Sequence, residues 1–334
     1  MTTKPKTYIL PFGAALDKVC SEETMKWIDE HFDAVWNEQN ENYTPEQLHQ
    51  MMEDAEVILT SWGSPKLTEE MLQKADKLRY VGHAAGSVKG FMPRSVFDHN
   101  RKVFSGAPRL ALSVGEYCMT VLLAMLRRIP QVSKAAQQGG WWEVGPQFIG
   151  HELTGATIGI VSASSTARAF LQLLAPFRPN VLLYDPFLSE ENALKLGVKL
   201  ATLEDVMRCS IISIHAPSLQ STENMIHADL IRSIPDGAVL INSSRGLVLD
   251  EEALIAELQT GRFYAALDVL RKEAPDPKHP LFRLDNVLIT PHIAGSTFEC
   301  RRALMPEIAQ DILRSIQHEP TRYEIYERMW EFLA

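Results

Sequence analysis

The chain has 334 residues, 46% of them hydrophobic and 22% charged, a composition ordinary for a soluble globular protein and a length that suggests two domains. A formal net charge of -9 offers no basic patch and argues against a nucleic-acid partner. No run reaches the roughly 18 apolar residues of a membrane span, the opening Met1–Pro5 lacks a signal-peptide stretch, and Cys20, Cys118, Cys209 and Cys300 are too scattered for a zinc or disulfide framework, so no membrane role, no metal and a reducing cytoplasm are expected.

Short apolar runs alternate with amphipathic segments along the whole chain. Strands are predicted at Tyr8–Pro11, Val57–Thr60, Leu78–Gly82 and Lys102–Ser105, with helices at Cys20–His31, Pro45–Asp54 and Thr68–Ala75 between them. This βαβ pattern makes the N-terminal third an α/β domain. A long helix, apolar on most faces, is predicted over Ser113–Gln138 and should join two domains. A second βαβ series follows: strand Thr157–Val161, helix Ser165–Leu174, strand Val181–Tyr184, then strands at Ile211–His215, Ala238–Ile241, Ala265–Val269 and Val287–Ile289. Asp250 is the expected N-cap of a helix ending at Thr260, with Gly261 just past it. The last helix, Thr297–Gln317, is expected to return to the N-terminal domain. The boundaries drawn are 1–108 with 298–334, and 109–297.

Strand, tight turn, helix, strand and then an acid is the dinucleotide-binding order. Asp185 is that acid, 23 residues after Ser162. A carboxylate there can accept from both ribose hydroxyls and repels a 2′-phosphate, which favours NAD over NADP. It also fits a plain turn aspartate before Pro186. The glycine fingerprint is missing: Ser162, Ser164 and Ala167 stand at its three positions. Ser162 is the costliest change, because any positive φ there carries a steric penalty. The helix start can still offer the amides of Ser165 and Thr166 to a pyrophosphate, or it can be a serine-capped helix with no ligand.

Three charged groups follow successive apolar runs. Arg245 offers a planar fork of donors that matches a carboxylate. Histidine is the side chain best suited to exchange a proton near neutrality, which makes His292 the candidate acid/base. Glu273 can fix the imidazole's tautomer by bonding one ring nitrogen. One such residue alone is more often a surface charge; three at successive strand ends suit hydride transfer to or from a 2-oxo acid.

At this point the chain resembles the D-isomer-specific 2-hydroxyacid dehydrogenase family. The matching stretches are Ile241–Gly246 with Asp250–Leu254, Leu267–Val269 with Glu273, and Asn286–Gly295. Ile214–Pro217, Leu126–Pro130 and Gly140-Trp141 add to them, so the resemblance runs through nearly the whole chain. It implies two Rossmann- or flavodoxin-like α/β domains, parallel sheets flanked by helices, with the cofactor domain inserted into the substrate domain. It also implies a homodimer built largely on the long helix after Ala111.

Carried over residue by residue, the resemblance makes Arg245 the substrate clamp, His292 the acid/base and Glu273 its partner. Asp268 and main-chain groups near Ser244 would meet the nicotinamide. His215, Ala216 and Pro217 would pass beneath the adenosine side. Ala85, Gly86 and Ser87 match a turn whose amides bind the substrate carboxylate, and such a turn can form an anion nest or be a plain strand-to-helix connection. The chain departs from the family at the serine-bearing loop, at Ala274 where proline is usual after the glutamate, and at Tyr117 where a histidine is common. The loops Ser61–Gly63, Val88–Phe91 and Trp141-Trp142 would set specificity, with Trp62 and Trp141 either walling a pocket or buried in a core. Glyoxylate, hydroxypyruvate, pyruvate and branched 2-oxo acids all stay open. Lys66, Lys89 and Arg94 are candidates for binding a phosphorylated substrate. A second reading keeps the fold as a regulatory or interaction protein with impaired NAD binding; the altered loop favours it and the intact Arg245, Glu273 and His292 oppose it.

Overall fold

Buried parallel strands read as unbroken apolar runs because both faces are covered by helices, and that is how most strands here are built. The computed structural model describes residues 4–144 and 149–333; Met1–Thr3, at the start of the stretch read for a leader, lie outside the described residues. In chain order the first elements are β1 (Lys6–Ile9), α1 (Gly13–Val19), α2 (Glu22–His31), β2 (Asp33–Trp36), α3 (Pro45–Met51), β3 (Val57–Thr60), α4 (Glu69–Lys74), β4 (Tyr80–His83) and β5 (Lys102–Ser105). Then come α5 (Ala107–Leu126), α6 (Ile129–Gln137), α7 (Trp141–Val144), β6 (Thr157–Val161), α8 (Ser165–Leu174), β7 (Asn180–Tyr184), α9 (Glu190–Lys195), β8 (Lys199–Leu200) and α10 (Leu203–Met207). The chain closes with β9 (Ile211–Ile214), α11 (Ala228–Arg232), β10 (Val239–Asn242), α12 (Glu251–Gln259), β11 (Tyr264–Leu267), β12 (Val287–Ile289), α13 (Phe298–Ile316) and β13 (Glu324–Ile325).

Side-chain caps start many of these helices. Ser21, Thr44, Thr68, Ser164, Ser189, Thr202, Asp250 and Thr297 each accept a first-turn backbone N–H, each worth about 1 kcal/mol. Thr44 and Gln47 form a reciprocal capping box with Pro45 in the first turn.

Two units result: residues 1–110 with 296–334, and residues 111–295 inserted between them. The first holds a sheet of order β13-β5-β4-β3-β1-β2, parallel except for the antiparallel edge β13. Its parallel part has flavodoxin order. α13 packs on one face, where Leu304, Met305, Ile308 and Ile312 meet Ile9, Leu59 and Phe104. Asp311 on α13, buried, accepts the amides of Arg322 and Tyr323 and so ties down the chain that leads into β13.

The second unit holds a fully parallel sheet of order β12-β11-β10-β9-β6-β7-β8. Strand order reverses at β6, between β9 and β7, which is the Rossmann arrangement. α5, with Cys118, Leu122 and Met125 buried, packs with Phe170 and Leu174 of α8 into the core on one face.

Three expectations are corrected. The single helix over Ser113–Gln138 is two helices: Arg128 takes φ 50 between α5 and α6, and Pro130 sits in the first turn of α6. Beginning at Ala107, α5 is long and apolar enough to cross a membrane by length and composition, although no such segment was expected; half of that stretch is buried within the fold, as in a core helix. The strand β2 was not foreseen, because an edge strand with Asp33 exposed and no fully buried residue carries a weak pattern. All four cysteines are free and buried.

Candidate active site

The residues singled out in the second unit follow the C-terminal ends of its strands, where open α/β sheets bind ligands. Along the sheet, His292 follows β12, Asp268 and Glu273 follow β11, Arg245 follows β10, His215 follows β9, Ser162 follows β6 and Asp185 follows β7. The three proton and carboxylate groups thus share three adjacent strands, and the nucleotide loop lies beyond β9.

The Arg245 turn is fixed from below. Asn242, fully buried, accepts from the amide and hydroxyl of Ser244 and donates to the Arg245 carbonyl at 3.1 Å. Ser243 meets Cys118 of α5 at 3.0 Å. Burial lowers the Arg245 pKa and the Glu273 charge counters it, so the guanidinium stays cationic.

His292 Nδ1 lies 2.9 Å from Glu273 Oε1. Their side chains are 45% and 61% exposed, so the pair faces solvent and its coupling is modest. A carboxylate can only accept, which puts a hydrogen on Nδ1 and leaves Nε2 for proton exchange. Both loops are conformationally unusual: His292 has φ 53 and Ala274 has φ 52. Proline fixes φ near about −65° and could not take this turn; Ala274 takes it at the steric cost a Cβ carries at positive φ.

The resemblance gives Asp268 to the nicotinamide; its carboxylate also serves the His292 loop. Oδ1 accepts from Ile293 N at 2.9 Å and from the Thr290 hydroxyl at 2.5 Å, and Oδ2 accepts from Ala294 N at 2.9 Å. The residue is 1% exposed.

The nucleotide loop keeps its path without its glycines. Ser162 takes φ 74, the left-handed conformation a glycine adopts freely. Its amide donates to the Tyr184 carbonyl at 2.7 Å, and Ala163 N donates to Asp185 Oδ2 at 2.8 Å. Ser164 caps α8, and Ala167 is fully buried at the packed position. The first-turn amides of Ser165 and Thr166 have no partner within the helix by geometry, so the donor set for a pyrophosphate is present and an NAD fits this loop. Asp185 also accepts from Phe187 N through Oδ1, so its turn-forming role holds beside any ribose contact.

The resemblance runs the stretch His215–Pro217 beneath the adenosine; within that stretch the His215 side chain turns inward, 2% exposed, with Nδ1 on the Thr166 hydroxyl at 3.0 Å and Nε2 on Ser213 at 2.9 Å. Burial pushes its pKa down to about 3. Ala216 is equally buried, and Pro217 is partly exposed.

In the other unit, Ala85, Gly86 and Ser87 form the turn after β4, and Ser105 donates to the Gly86 carbonyl. Trp62 is 41% exposed and Trp141 70%, so neither is a core residue. Arg94 is ion-paired to Glu327 at 2.9 Å, and Lys89 lies over the Trp330 ring. Sequence reasoning missed Asn242 and Thr290; the signal was a single polar residue ending or following an otherwise apolar strand.

The family model for the NAD-binding domain of D-isomer specific 2-hydroxyacid dehydrogenases matches residues 119–294. A D-3-phosphoglycerate dehydrogenase of Archaeoglobus fulgidus is 33% identical over 259 residues, covering 77% of this chain but 49% of that protein. The chain thus spans about half the length of the D-3-phosphoglycerate dehydrogenases it matches. A glyoxylate reductase of Pyrococcus furiosus is 29% identical over 318 residues, covering 93% of this chain and 92% of its own. The solved structure of the D-mandelate dehydrogenase of Rhodotorula graminis shares the fold, with a TM-score of 0.83 at 18% identity over 97% of this chain and 98% of that one.

Proposed function

The chain belongs to the D-isomer specific 2-hydroxyacid dehydrogenase family, with an NAD-binding domain of that family between residues 119 and 294, and from this we propose that it interconverts a small 2-oxo acid and the corresponding D-2-hydroxy acid using NAD(H). The observation that carries the reading is the His292–Glu273 pair beside Arg245, on the ends of adjacent strands.

Ser162, Ser164, Ser165, Thr166 and Asp185 would hold the cofactor's phosphate and ribose end, with Ala216 and Pro217 beneath the base. Main-chain groups near Ser244 and the segment after Asp268 would hold the nicotinamide end. When bound, the cofactor supplies a hydride to the oxo acid or accepts one from the hydroxy acid. Arg245 binds the substrate carboxylate and withdraws charge from the carbonyl oxygen. His292 gives its Nε2 proton to that oxygen in reduction and takes it back in oxidation. Glu273 holds Nδ1 and faces the imidazolium with a negative charge. The amides of Ala85, Gly86 and Ser87 are proposed as further carboxylate donors, on the strength of the resemblance.

The substrate we propose carries no phosphate. Of the three basic candidates, Arg94 is paired with Glu327 and Lys89 lies over the Trp330 ring, which leaves only the exposed Lys66. The free buried cysteines support a reducing, cytoplasmic setting. Leu112, Leu123, Ile129, Trp141 and Trp142 are exposed along α5, α6 and α7, and burying them in a homodimer would remove that apolar surface from water.

The test is a panel of 2-oxo acids with NADH, following absorbance, on the wild type and on His292→Ala. Turnover in the wild type that falls about a thousand-fold in the variant supports the acid/base role. Equal rates in both would sink it. If the wild type neither binds NADH nor turns over any acid, the regulatory reading takes its place.

A further inference from the structure

We propose that Tyr117 is a positioning residue for His292, acting from helix α5 through Thr290 and Asp268. The proposal rests on the acid/base reading of His292 given above.

Three consecutive amides converge on one residue. His292 N donates to the Asp268 carbonyl at 2.8 Å, Ile293 N to Asp268 Oδ1 and Ala294 N to Asp268 Oδ2. Successive N–H groups with a left-handed residue among them form an anion nest, and the Asp268 carboxylate fills this one. A non-glycine residue at φ 53 is strained and persists only where its surroundings over-determine it. The nest is that constraint, so the orientation of Asp268 sets the conformation of His292.

Asp268 is oriented in turn by a directed chain. Its Oδ1 also takes the proton of the Thr290 hydroxyl. A hydroxyl has one proton. With that proton given to Asp268, Thr290 can only accept from Tyr117, whose Oη lies 2.6 Å away. Tyr117 is therefore the donor at the head of the chain. Burial pushes its pKa up to about 12, so it keeps the proton it donates through the working range. This is the position at which the family more often carries histidine, and a phenol keeps its proton at a pH where an imidazole exchanges it.

The experiment compares Tyr117→Phe and Thr290→Val with the wild type and with His292→Ala. Tyr117→Phe keeps the ring and removes only the hydroxyl; Thr290→Val keeps the shape and cuts the chain one step later. The readouts are kcat and KM for the best 2-oxo acid, NADH affinity by fluorescence, and amide hydrogen exchange at Ile293 and Ala294. We expect kcat to fall about ten-fold in both variants with NADH affinity unchanged, and exchange at the two amides to quicken while the far amides of β6 and β7 keep their protection. Unchanged exchange at Ile293 and Ala294 in Tyr117→Phe overturns the proposal, as does faster exchange with kcat unchanged. A uniform loss of protection across the unit also overturns it, because the role would then be general packing. Retained activity in His292→Ala would overturn the acid/base reading and with it the catalytic part of the proposal; the amide exchange separates that failure from failure of the link itself.

Discussion

Gly246 and Leu270 cross so closely that a Cβ on Gly246 would stand 2.0 Å from the Leu270 carbonyl carbon. The contact is backbone against backbone, so no flexible side chain can yield. It joins the residue after Arg245 to the stretch that leads into Glu273, and thereby sets the spacing of two of the three charged groups.

Gly246→Ala should therefore act on both stability and chemistry. Overpacking costs about 1–3 kcal/mol, and a rigid backbone contact belongs at the upper end. The melting temperature should fall by several degrees, by about 2–4 °C per kcal/mol for a domain of this size. Turnover should fall further than stability explains, since Arg245 is displaced. A variant with wild-type melting and wild-type kcat would show that the two backbones part at this crossing without cost.

Ser162→Gly probes the loop that lacks its glycines. At φ 74 a serine carries strain of about 1 kcal/mol, which glycine relieves. Glycine also loosens the unfolded chain, at a cost of about 0.4–1 kcal/mol. The two nearly cancel, so the melting temperature should move little. NADH affinity should rise a few-fold, because the side chain no longer stands at the phosphate-binding turn. Weaker NADH binding in the variant would mean that the Ser162 hydroxyl, 3.3 Å from Asp185, contributes more than the strain costs.

Much of this arrangement was legible in the sequence because parallel strands with both faces buried read as apolar runs: β3, β5 and β6 fall where the runs lie. The alignment of Arg245, Glu273 and His292 followed from three polar motifs placed just after such runs. What escaped was carried by backbone hydrogen bonds. The resemblance gives Asp268 a ligand; that its oxygens also hold two amides and a threonine was not legible, since no residue pattern announces an amide. His215 enters the site through the resemblance of the stretch His215–Pro217; the inward turn of its side chain onto Thr166 and Ser213 is not announced by the apolar run Ile211–Ile214 before it. The break at Arg128 escaped because both flanking segments are helix-forming.

Asp185 should decide cofactor preference. It holds the loop by accepting from Ala163 N and the next turn by accepting from Phe187 N. Asp185→Ser keeps a short acceptor but removes the charge that repels a 2′-phosphate. The ratio of NADPH to NADH affinity should rise about ten-fold, which is about 1.4 kcal/mol of lost repulsion and lost ribose bonding. A fluorescence titration with each cofactor measures it. An unchanged ratio would show that selection lies elsewhere in the loop.

Acid should weaken both units through two buried histidines. His83, fully buried, meets Thr60 through Nδ1 and lies tilted against the Phe91 ring. His215 is held by Thr166 and Ser213. Burial lowers their pKa values from 6.5 to about 4 and about 3. The unfolded chain therefore takes up protons first as pH falls. Their neutral-state contribution is fully present above pH 6.5 and is lost progressively below it, down towards the folded values. At pH 5 each should cost about 2 kcal/mol relative to pH 7. Urea unfolding at pH 7 and pH 5 should show the midpoint falling, with a shallower fall in His215→Gln for the unit of residues 111–295 and in His83→Gln for the other. Equal midpoints at the two pH values in the wild type would mean that water reaches these imidazoles when they protonate, and that neither is sealed in its core.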